Sequence, residues 1–417
     1  RRSPYDLELF SNNLDSNVTS AQIQHALLNI PHEKLMGTIQ INDAPRQLLA
    51  PVDECIIPKD ERPSWGINFT YITKIGLNDP SNIQTICTLA PMHSIYMNQQ
   101  SIYLLTSDYN WLVEDESYYK TNLDRFDIES LTFTGSLKVD GNLGWGNESK
   151  FRIKEQTLNN KQVLTLVLTE LNNRKIEHFI RNFEVSESDF TQLDVYPEPG
   201  EAAIGKDRED VKSAKIDGSR VQIVTYFTSD PLYEFNISDP THIWMESELE
   251  APGFSTYLHN IDDQQLTVGL GFTDDWRLKI ELYDQSGTNS SLLDSLEMAS
   301  RTQSPATSDY KAFTSFDDTE NQLFRIALPI QRWQYTQLSN DYQYKNMAGL
   351  WLIEVDYSQT PATIKVINDI EMSDQPEDVY QSRAVIRGTS VHYALNGEVY
   401  STEFAIDGSI HSTETQP

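Results

Sequence analysis

One stretch of the sequence constrains the fold of this chain more than any other part. Residues 221–271 contain three strand-like runs that are rich in β-branched and aromatic residues. Turn signals built from Pro, Gly, Asp and Ser separate or close these runs at 229–231, 238–240 and 252–253. Short strands at regular spacing between such turns are typical of an antiparallel meander. The stretch therefore predicts one blade of a β-propeller and the start of the next blade.

A recurring element extends this prediction along the chain. It consists of an apolar strand, a short turn of acidic, Asn or Ser residues, and a second strand. Its aligned positions are Leu77, Ile128, Val185, Ile237, Tyr283, Val355 and Ile406. The spacing is roughly 50 residues, which is in the range of propeller blades, with one longer gap before the sixth position. We therefore predict an all-β chain that forms a β-propeller of about seven, or eight, four-stranded blades.

Two regions depart from this pattern. Residues 1–35 are the least β-like, and a capping-box pattern at 19–22 precedes apolar residues at helical spacing, so we expect a short N-terminal helical arm. Residues 36–417 are expected to form the propeller domain. Within that domain, the region 286–345 is rich in Ser, Thr, Gln and Asn, and we expect it to be an insert on one face. A strand is expected at 323–328, ended by Pro329.

The charge balance bears on partners rather than on the fold. The chain has 62 Asp and Glu residues against 32 Lys and Arg residues, which gives a formal net charge of −30. This field repels phosphate backbones, so we do not expect nucleic-acid binding. The acidity suits a basic partner, divalent cations or a saline medium, or it serves only to keep the surface solvated. The sequence has no apolar run long enough for a transmembrane segment.

Cys55 and Cys87 are the two cysteines of the chain. Two cysteines without another cluster of soft ligands argue against a structural zinc site. They flank a strand-like segment at 67–77 and its return strand, so a disulfide across a hairpin is one interpretation. Such a bridge would indicate an oxidising compartment. Two unpaired buried thiols are the alternative.

The first candidate ligand site lies inside the central stretch. Ser255, Tyr257 and His259 alternate, so an undistorted strand would place them on one face, near a propeller channel. We expect either a ligand-binding patch or a hydrogen-bonded network that fixes the packing of the blades. Ser255 lacks the second glycine of the G-x-S-x-G nucleophile elbow, and we assign no catalytic residue.

Acidic loops and aromatic residues supply further candidates. Hard cations prefer carboxylate oxygens, so the Asp pairs at 262–263, 274–275 and 317–318 are calcium candidates. We favour Asp274 and Asp275, because they lie next to a strand-like run that ends in glycine. A solvated turn is the alternative, since no loop has the spaced pattern of a calcium-binding loop. The histidines show no zinc or iron motif. Five tryptophans lie in or beside expected turns, where they would anchor a partner or pack a blade: Trp65, Trp111, Trp145, Trp276 and Trp333.

The central motifs resemble a family of secreted prokaryotic proteins whose C-terminal β-propeller is distantly related to WD-40 repeats. The matching segments are 224–227, 230–232, 237–240, 252–255, 257–259, 269–271 and 308–313. The resemblance is specific over 220–315 and looser over about 36–220 and 345–408. The N-terminal signature of the family is absent, so the chain looks like a member without one or more N-terminal blades.

This resemblance implies a propeller fold, paired cysteines and an extracytoplasmic location, which is secreted, periplasmic or at the cell surface. It implies no established enzymatic activity. We therefore expect a non-catalytic protein-binding or assembly module, with a protein partner or self-assembly at the cell surface. Two alternatives are a hydrolase or lyase with its site in the propeller channel, and an adhesin stabilised by calcium.

Overall fold

The computed structural model is almost entirely β-structure in the residues it describes. These are residues 36–40, 43–57, 69–89, 92–109, 119–144, 148–172, 175–226, 230–261, 265–287, 290–338, 341–372, 379–404 and 411–413. The helical arm expected at 1–35 lies outside them. Short 3-10 segments occur at Val52–Glu54, Glu148–Phe151, Pro305–Thr307, Tyr310–Ala312 and Val379–Gln381. In this described part of the chain, no helix has the length and hydropathy needed to cross a membrane.

The chain divides into two compact units, and the first comprises Arg1–Gly146 with Val185–Thr191. Its strands are β1 (Thr38–Ile39), β2 (Gln47–Leu48), β3 (Thr70–Ile75), β4 (Ile83–Thr88), β5 (Ser94–Met97), β6 (Ser101–Tyr109), β7 (Tyr119–Asp127) and β8 (Phe133–Asp140). The pairs β1–β2 and β3–β4 are antiparallel hairpins, and β5 to β8 form a four-stranded antiparallel sheet. Cys55 and Cys87 form a disulfide that ties the segment before β3 to β4, which confirms the first interpretation of the cysteines.

The second unit comprises Asn147–Glu184 and Gln192–Pro417. Its strands are β9 (Ile153–Leu158), β10 (Lys161–Asn172), β11 (Lys175–Val185), β12 (Phe190–Tyr196), β13 (Asp210–Asp217), β14 (Arg220–Tyr226), β15 (Asp230–Asn236), β16 (Trp244–Ala251), β17 (Phe254–Ile261), β18 (Leu266–Phe272), β19 (Leu278–Asp284), β20 (Ser291–Glu297), β21 (Thr302–Gln303), β22 (Thr314–Asp318), β23 (Leu323–Leu338), β24 (Asp341–Asp356), β25 (Thr363–Glu371), β26 (Arg383–Arg387), β27 (Ser390–Leu395), β28 (Glu398–Glu403) and β29 (His411–Thr413). The residues Val185–Thr191, from the end of β11 to the start of β12, belong to the first unit.

These strands form consecutive antiparallel sheets, as propeller blades do. The sheets β9–β12, β13–β16, β17–β20 and β26–β29 each contain four strands, and β21–β25 form a sheet of five. The described residues therefore confirm the prediction of an all-β chain with four-stranded blades. In the first unit, the hairpins β1–β2 and β3–β4 have two described strands each, fewer than a blade requires.

The sheet β17–β20 packs on both faces, because the sheets of the second unit stack on one another. On one face, Leu270 and Ile280 pack in a cluster with Ile326 of β23. On the other face, Leu258 packs in a cluster with Val224 of β14. Alternation along β18 and β19 therefore buries both sets of side chains, and a polar residue in these two strands must find a partner inside the protein.

The region 286–345 differs from the insert that we expected. It supplies β20 to β23 and the first residues of β24, so it contributes strands to two sheets. The expected stop at Pro329 is wrong, because β23 continues through this proline. The reason is local: β22 ends its pairing opposite Ala327 and β21 begins opposite Gln331. Pro329 lies in the gap between them, where no backbone N–H is needed on that edge.

Candidate functional site

Two glycines of β18 create the space for a polar site in the second unit. Gly269 and Gly271 lie between strands β17 and β19. A Cβ atom on Gly269 would lie 2.6 Å from Oγ of Ser255 and 3.0 Å from the ring of Tyr283. On Gly271 it would lie 1.8 Å from the carbonyl oxygen of Phe254. Only glycine fits at these positions, and the face of the sheet above them is open to long side chains from β19.

Lys279 and Glu281 of β19 occupy this space as a buried ion pair. Alternation places them on one face together with Tyr283. The Lys279 Nζ lies 2.8 Å from Oε1 of Glu281, and each residue is only 2% exposed. Nζ also donates a hydrogen bond to the carbonyl oxygen of Pro252. The Tyr283 hydroxyl donates to Oε2 of Glu281 at 2.7 Å, so both charges have partners.

A cavity of about 410 Å³ opens over this ion pair, and we call it the cleft. Its lining residues are Pro252, Thr273, Asp274, Asp275, Arg277, Lys279, Glu281, Leu292, Ser295 and Glu297. Four of these residues carry a carboxylate and two carry a positive charge, so the formal charge of the lining is −2. The floor is the buried ion pair, and exposed side chains form the rim.

The loop between β18 and β19 forms one wall of the cleft. Two hydrogen bonds between Thr273 and Arg277 close it: the backbone N of Thr273 donates to O of Arg277 at 2.9 Å, and the backbone N of Arg277 donates to Oγ1 of Thr273 at 3.1 Å. Trp276 follows the two aspartates, is 64% exposed and has a φ of +60°. That left-handed conformation is uncommon for a residue with a bulky side chain. Its ring contacts Phe254 and Phe272 rather than the lining of the cleft, with centroids 5.4 and 5.8 Å away.

The calcium candidates Asp274 and Asp275 both lie at the rim of the cleft. Oδ1 of Asp274 accepts a hydrogen bond from the backbone N of Gly253 at 3.2 Å, so this carboxylate fixes the turn before β17. Among the described residues, no group of three or more His, Cys, Asp or Glu side chains is arranged to hold a metal ion. Calcium binding therefore stays a prediction, with two of its expected ligands located but no ligand set around them.

The structure separates the three residues that we expected on one face of β17. Ser255 pairs with Gly271 and Tyr257 pairs with Leu270, so Thr256 is an extra residue in a β-bulge. The bulge shifts the alternation by one position. Ser255 thus lies on the side of the cleft, beside Gly269, and its buried Oγ has no hydrogen-bond partner among the described residues. The expectation of a single polar face is wrong because the sequence gives no sign of the bulge.

Tyr257 and His259 remain together on the other face, where they form what we call the histidine pocket. The Tyr257 hydroxyl lies 3.0 Å from Nδ1 of His259. The imidazole stacks on Phe313, with centroids 5.0 Å apart, and its Nε2 lies 3.4 Å from Oγ of Ser315. Ring stacking and a hydrogen bond on each nitrogen leave His259 little freedom to bind a ligand.

Burial controls the protonation of the histidine pocket. It lowers the pKa of His259 to about 4, and the positive charge of Lys215 acts in the same direction. Burial also raises the pKa of Tyr257 to about 12. Both groups are therefore neutral at neutral pH, and the geometry matches the hydrogen-bonded packing network that we gave as one of the two interpretations.

A similar network surrounds His178 between β11 and neighbouring strands. Its Nδ1 lies 3.0 Å from Oγ1 of Thr169, and its Nε2 lies 3.0 Å from the carbonyl oxygen of Glu209. Arg152 donates to the same Thr169 hydroxyl at 3.2 Å. Burial lowers the pKa of His178 to about 4, so this ring is also neutral and structural.

Sequence reasoning missed the residues that build the cleft. Lys279 and Glu281 stand at alternate positions of β19, whose first six residues are all buried. The signal was available, because charged residues inside a buried strand need partners. The two glycines opposite them in β18 were the second sign, since glycine weakens a strand unless a close approach requires it.

Comparison with known protein families identifies the family of this chain. A family model described as a beta propeller domain matches residues 13–405. An uncharacterized protein of Methanocaldococcus jannaschii is 36% identical over 105 residues, which are 25% of this chain. An uncharacterized protein of Archaeoglobus fulgidus is 34% identical over 82 residues, which are 20% of this chain. The matches cover 17% and 13% of those relatives' own length.

Solved structures show similarity at low sequence identity. The WD40 domain of SCAP from fission yeast has a TM-score of 0.41 at 10% identity, covering 84% of this chain and 88% of that one. The β-propeller domain of the Trilobed protease from Pyrococcus furiosus has a TM-score of 0.25 at 10% identity, covering 62% and 84%. The match of the family model spans nearly the whole chain and agrees with the consecutive four-stranded sheets. The chain therefore belongs to the beta propeller domain family.

Proposed function

We propose that this propeller is a non-catalytic protein-binding module and that the cleft is its binding site. The ion pair at the floor of the cleft is the observation that carries this proposal. The ammonium of Lys279 contacts a carboxylate at 2.8 Å and a backbone carbonyl, so it is occupied as a hydrogen-bond donor. A catalytic lysine must instead present a free amine as nucleophile or base. The cleft offers charges for recognition rather than a group poised for reaction.

The serine–histidine contacts of the described residues support the same proposal. His392 lies 2.8 Å from Oγ of Ser401 across β27 and β28, at an exposed position. His259 lies 3.4 Å from Oγ of Ser315. A nucleophile of this type needs a base that a third group orients, usually a carboxylate. In the described part of the chain, no carboxylate is bonded to the second nitrogen of either ring.

We also propose that the module works outside the cytoplasm, either secreted, periplasmic or at the cell surface. The disulfide between Cys55 and Cys87 supports this, because such bonds persist in oxidising compartments. Alkylation under denaturing conditions, without reductant, tests the proposal on protein from its native source. We expect no free thiol, and complete alkylation of both cysteines would contradict this location.

Zero-length cross-linking with a carbodiimide tests the proposed binding site. The reagent couples exposed carboxylates to amines in direct contact, and Asp275 and Glu297 are exposed carboxylates at the rim. In an extract of the native source, we expect cross-links from these two residues to lysines of another protein. Glu320 is an exposed carboxylate in the turn before β23 and serves as the control position.

Two results would overturn the proposal. The first is that cross-links from the rim reach only this chain, while Glu320 reacts as often as Asp275 and Glu297. The second is turnover of a hydrolase or lyase substrate that is lost in the variant His392→Gln or His259→Gln. The second result would favour a catalytic site over a binding module.

A further inference from the structure

The charges of the cleft are not balanced within the protein. The floor is neutral, because Lys279 and Glu281 compensate each other at 2.8 Å. At the rim, Arg277 lies 4.0 Å from Glu297, at the outer limit of an ion pair, and both side chains are about half exposed. Asp275 forms no ion pair with any described residue. The rim therefore holds more negative charge than its own arginine neutralises.

The floor shows that the cleft is more than an acidic patch on a surface. A buried ion pair costs desolvation, and apolar residues of similar size would often stabilise the sheet as well or better. This chain keeps the pair and leaves it open to a cavity of about 410 Å³. That volume is within the range of ligand pockets, roughly 300–1,000 Å³. It admits long side chains of a partner rather than a folded element.

We infer that the cleft recognises a basic side chain, arginine or lysine, of a protein partner, and this inference rests on the proposed function. A cationic group entering the cleft meets the carboxylates of Asp275 and Glu297 at the rim. An anionic group would meet the same two carboxylates, with Arg277 as the cation of the rim that offsets them. The net charge of −30 of the whole chain also steers cations towards the protein.

A side chain fits these observations better than a metal ion does. A hard cation such as calcium needs six or more oxygen ligands. Here Lys279 and Tyr283 occupy the carboxylate oxygens of Glu281, and the backbone of Gly253 occupies Oδ1 of Asp274. The free oxygens that remain are spread along the rim, where they suit the several N–H donors of a guanidinium group or an ammonium group.

Isothermal titration with short peptides tests the inference directly. The probes are acetyl-Gly-Gly-Arg-Gly-Gly-amide and the same peptide with glutamine in place of arginine. We expect only the arginine peptide to bind measurably, and its affinity to fall as NaCl rises from about 0.05 to 0.5 M, because salt screens exposed charges.

Three variants assign this binding to the cleft. Asp275→Asn removes one rim carboxylate, and we expect the affinity for the arginine peptide to fall about two- to fivefold, as for one exposed charge pair. Glu320→Gln removes the same charge away from the cleft and should change nothing. Arg277→Gln removes the competing cation of the rim, so it should raise the affinity about two- to fivefold. These residues are exposed, so the variants are expected to fold.

The inference is overturned if the two peptides bind equally, or if Asp275→Asn has no larger effect than Glu320→Gln. Its failure can be distinguished from failure of the proposed function. Cross-links from the rim to a partner, together with equal binding of the two peptides, would support the binding module and contradict the recognition of a basic side chain. Preferential binding of the arginine peptide, together with the absence of any cross-linked partner, would support the recognition of a basic side chain and contradict the protein partner.

Discussion

At the scale of single residues, the cleft depends on the absence of side chains at two glycines of β18. Side chains at Gly269 and Gly271 would collide with Ser255 and with the backbone of Phe254. Their absence lets Lys279 reach the carbonyl oxygen of Pro252 and lets Tyr283 reach Glu281. Both charged groups of the floor therefore have partners, as buried charges require. The arrangement predicts large and unequal effects for substitutions within the ion pair.

The variant Lys279→Met should destabilise the protein strongly, because it leaves the carboxylate of Glu281 buried without its cation. We expect the free energy of unfolding to fall by about 3–5 kcal/mol. The double variant Lys279→Met/Glu281→Leu should recover most of this loss, since it removes both charges. Urea denaturation followed by tryptophan fluorescence measures both. Equal losses in the single and double variants would contradict the account.

Ser255→Ala tests whether this serine has any role beyond packing. Its Oγ is buried without a hydrogen-bond partner among the described residues, so removing it abolishes an unsatisfied group. We expect the free energy of unfolding to stay constant or to rise by up to about 1 kcal/mol. Binding of the arginine peptide should also be unchanged. A loss of binding or activity in this variant would show that Ser255 has a function that its geometry does not explain.

At the scale of strands, the sequence predicted the elements better than their details. Alternation and turn residues predicted three strand-like runs in 221–271, and the structure has five strands there, β14 to β18. The bulge at Thr256 was not predictable, because it depends on the close approach of β17 to Gly271 in the partner strand. The path of β23 through Pro329 was not predictable either, since it depends on where β21 and β22 end.

The histidine pocket predicts a dependence of stability on pH. The pKa of His259 is about 4 in the folded protein, below its ordinary value of 6.5, because burial disfavours the charged ring. A lowered pKa means that unfolded chains bind the proton more readily. The stabilisation is therefore fully present above about pH 6.5 and is lost as the pH falls towards 4. We expect a loss of about 2–3 kcal/mol from this residue over that interval.

Denaturation of the variant His259→Gln over the same pH range checks this contribution. Glutamine does not titrate, so the curve of unfolding free energy against pH should be flatter than in the unchanged protein. His178 has the same lowered pKa and keeps its own share of the dependence in this variant. Parallel curves for the two proteins would show that His259 titrates in the folded state as it does in the unfolded chain.

At the scale of the whole chain, the repeat spacing was enough to predict the fold. Seven recurrences at a spacing of about 50 residues predicted consecutive four-stranded sheets, and the described residues contain them. The binding site was not predictable in the same way. Its floor joins residues from β19 with the turn before β17, and only the pairing of β17, β18 and β19 brings them together. The calcium candidates Asp274 and Asp275 were the part of the rim that the sequence did identify.

The disulfide of the first unit predicts a local effect of reduction. The bond closes a loop between Cys55 and Cys87, which are 32 positions apart. Opening it should cost about 2–4 kcal/mol of stability in that unit. Hydrogen exchange after reduction should be faster in the segment Val52–Glu54 and in β4, with β18 and β19 as internal reference strands. Unchanged exchange in β4 would mean that the disulfide adds no stability to the hairpin.

The central claim is that the cleft, and not the histidine pocket, is the functional site. The most direct measurement is the affinity of the cross-linked partner for the unchanged protein and for two variants, Asp275→Asn and His259→Gln, at pH 7.5. We predict that the cleft variant weakens binding about two- to fivefold, while the pocket variant binds as the unchanged protein does. Weaker binding in His259→Gln with unchanged binding in Asp275→Asn would contradict the claim and move the functional site to the histidine pocket.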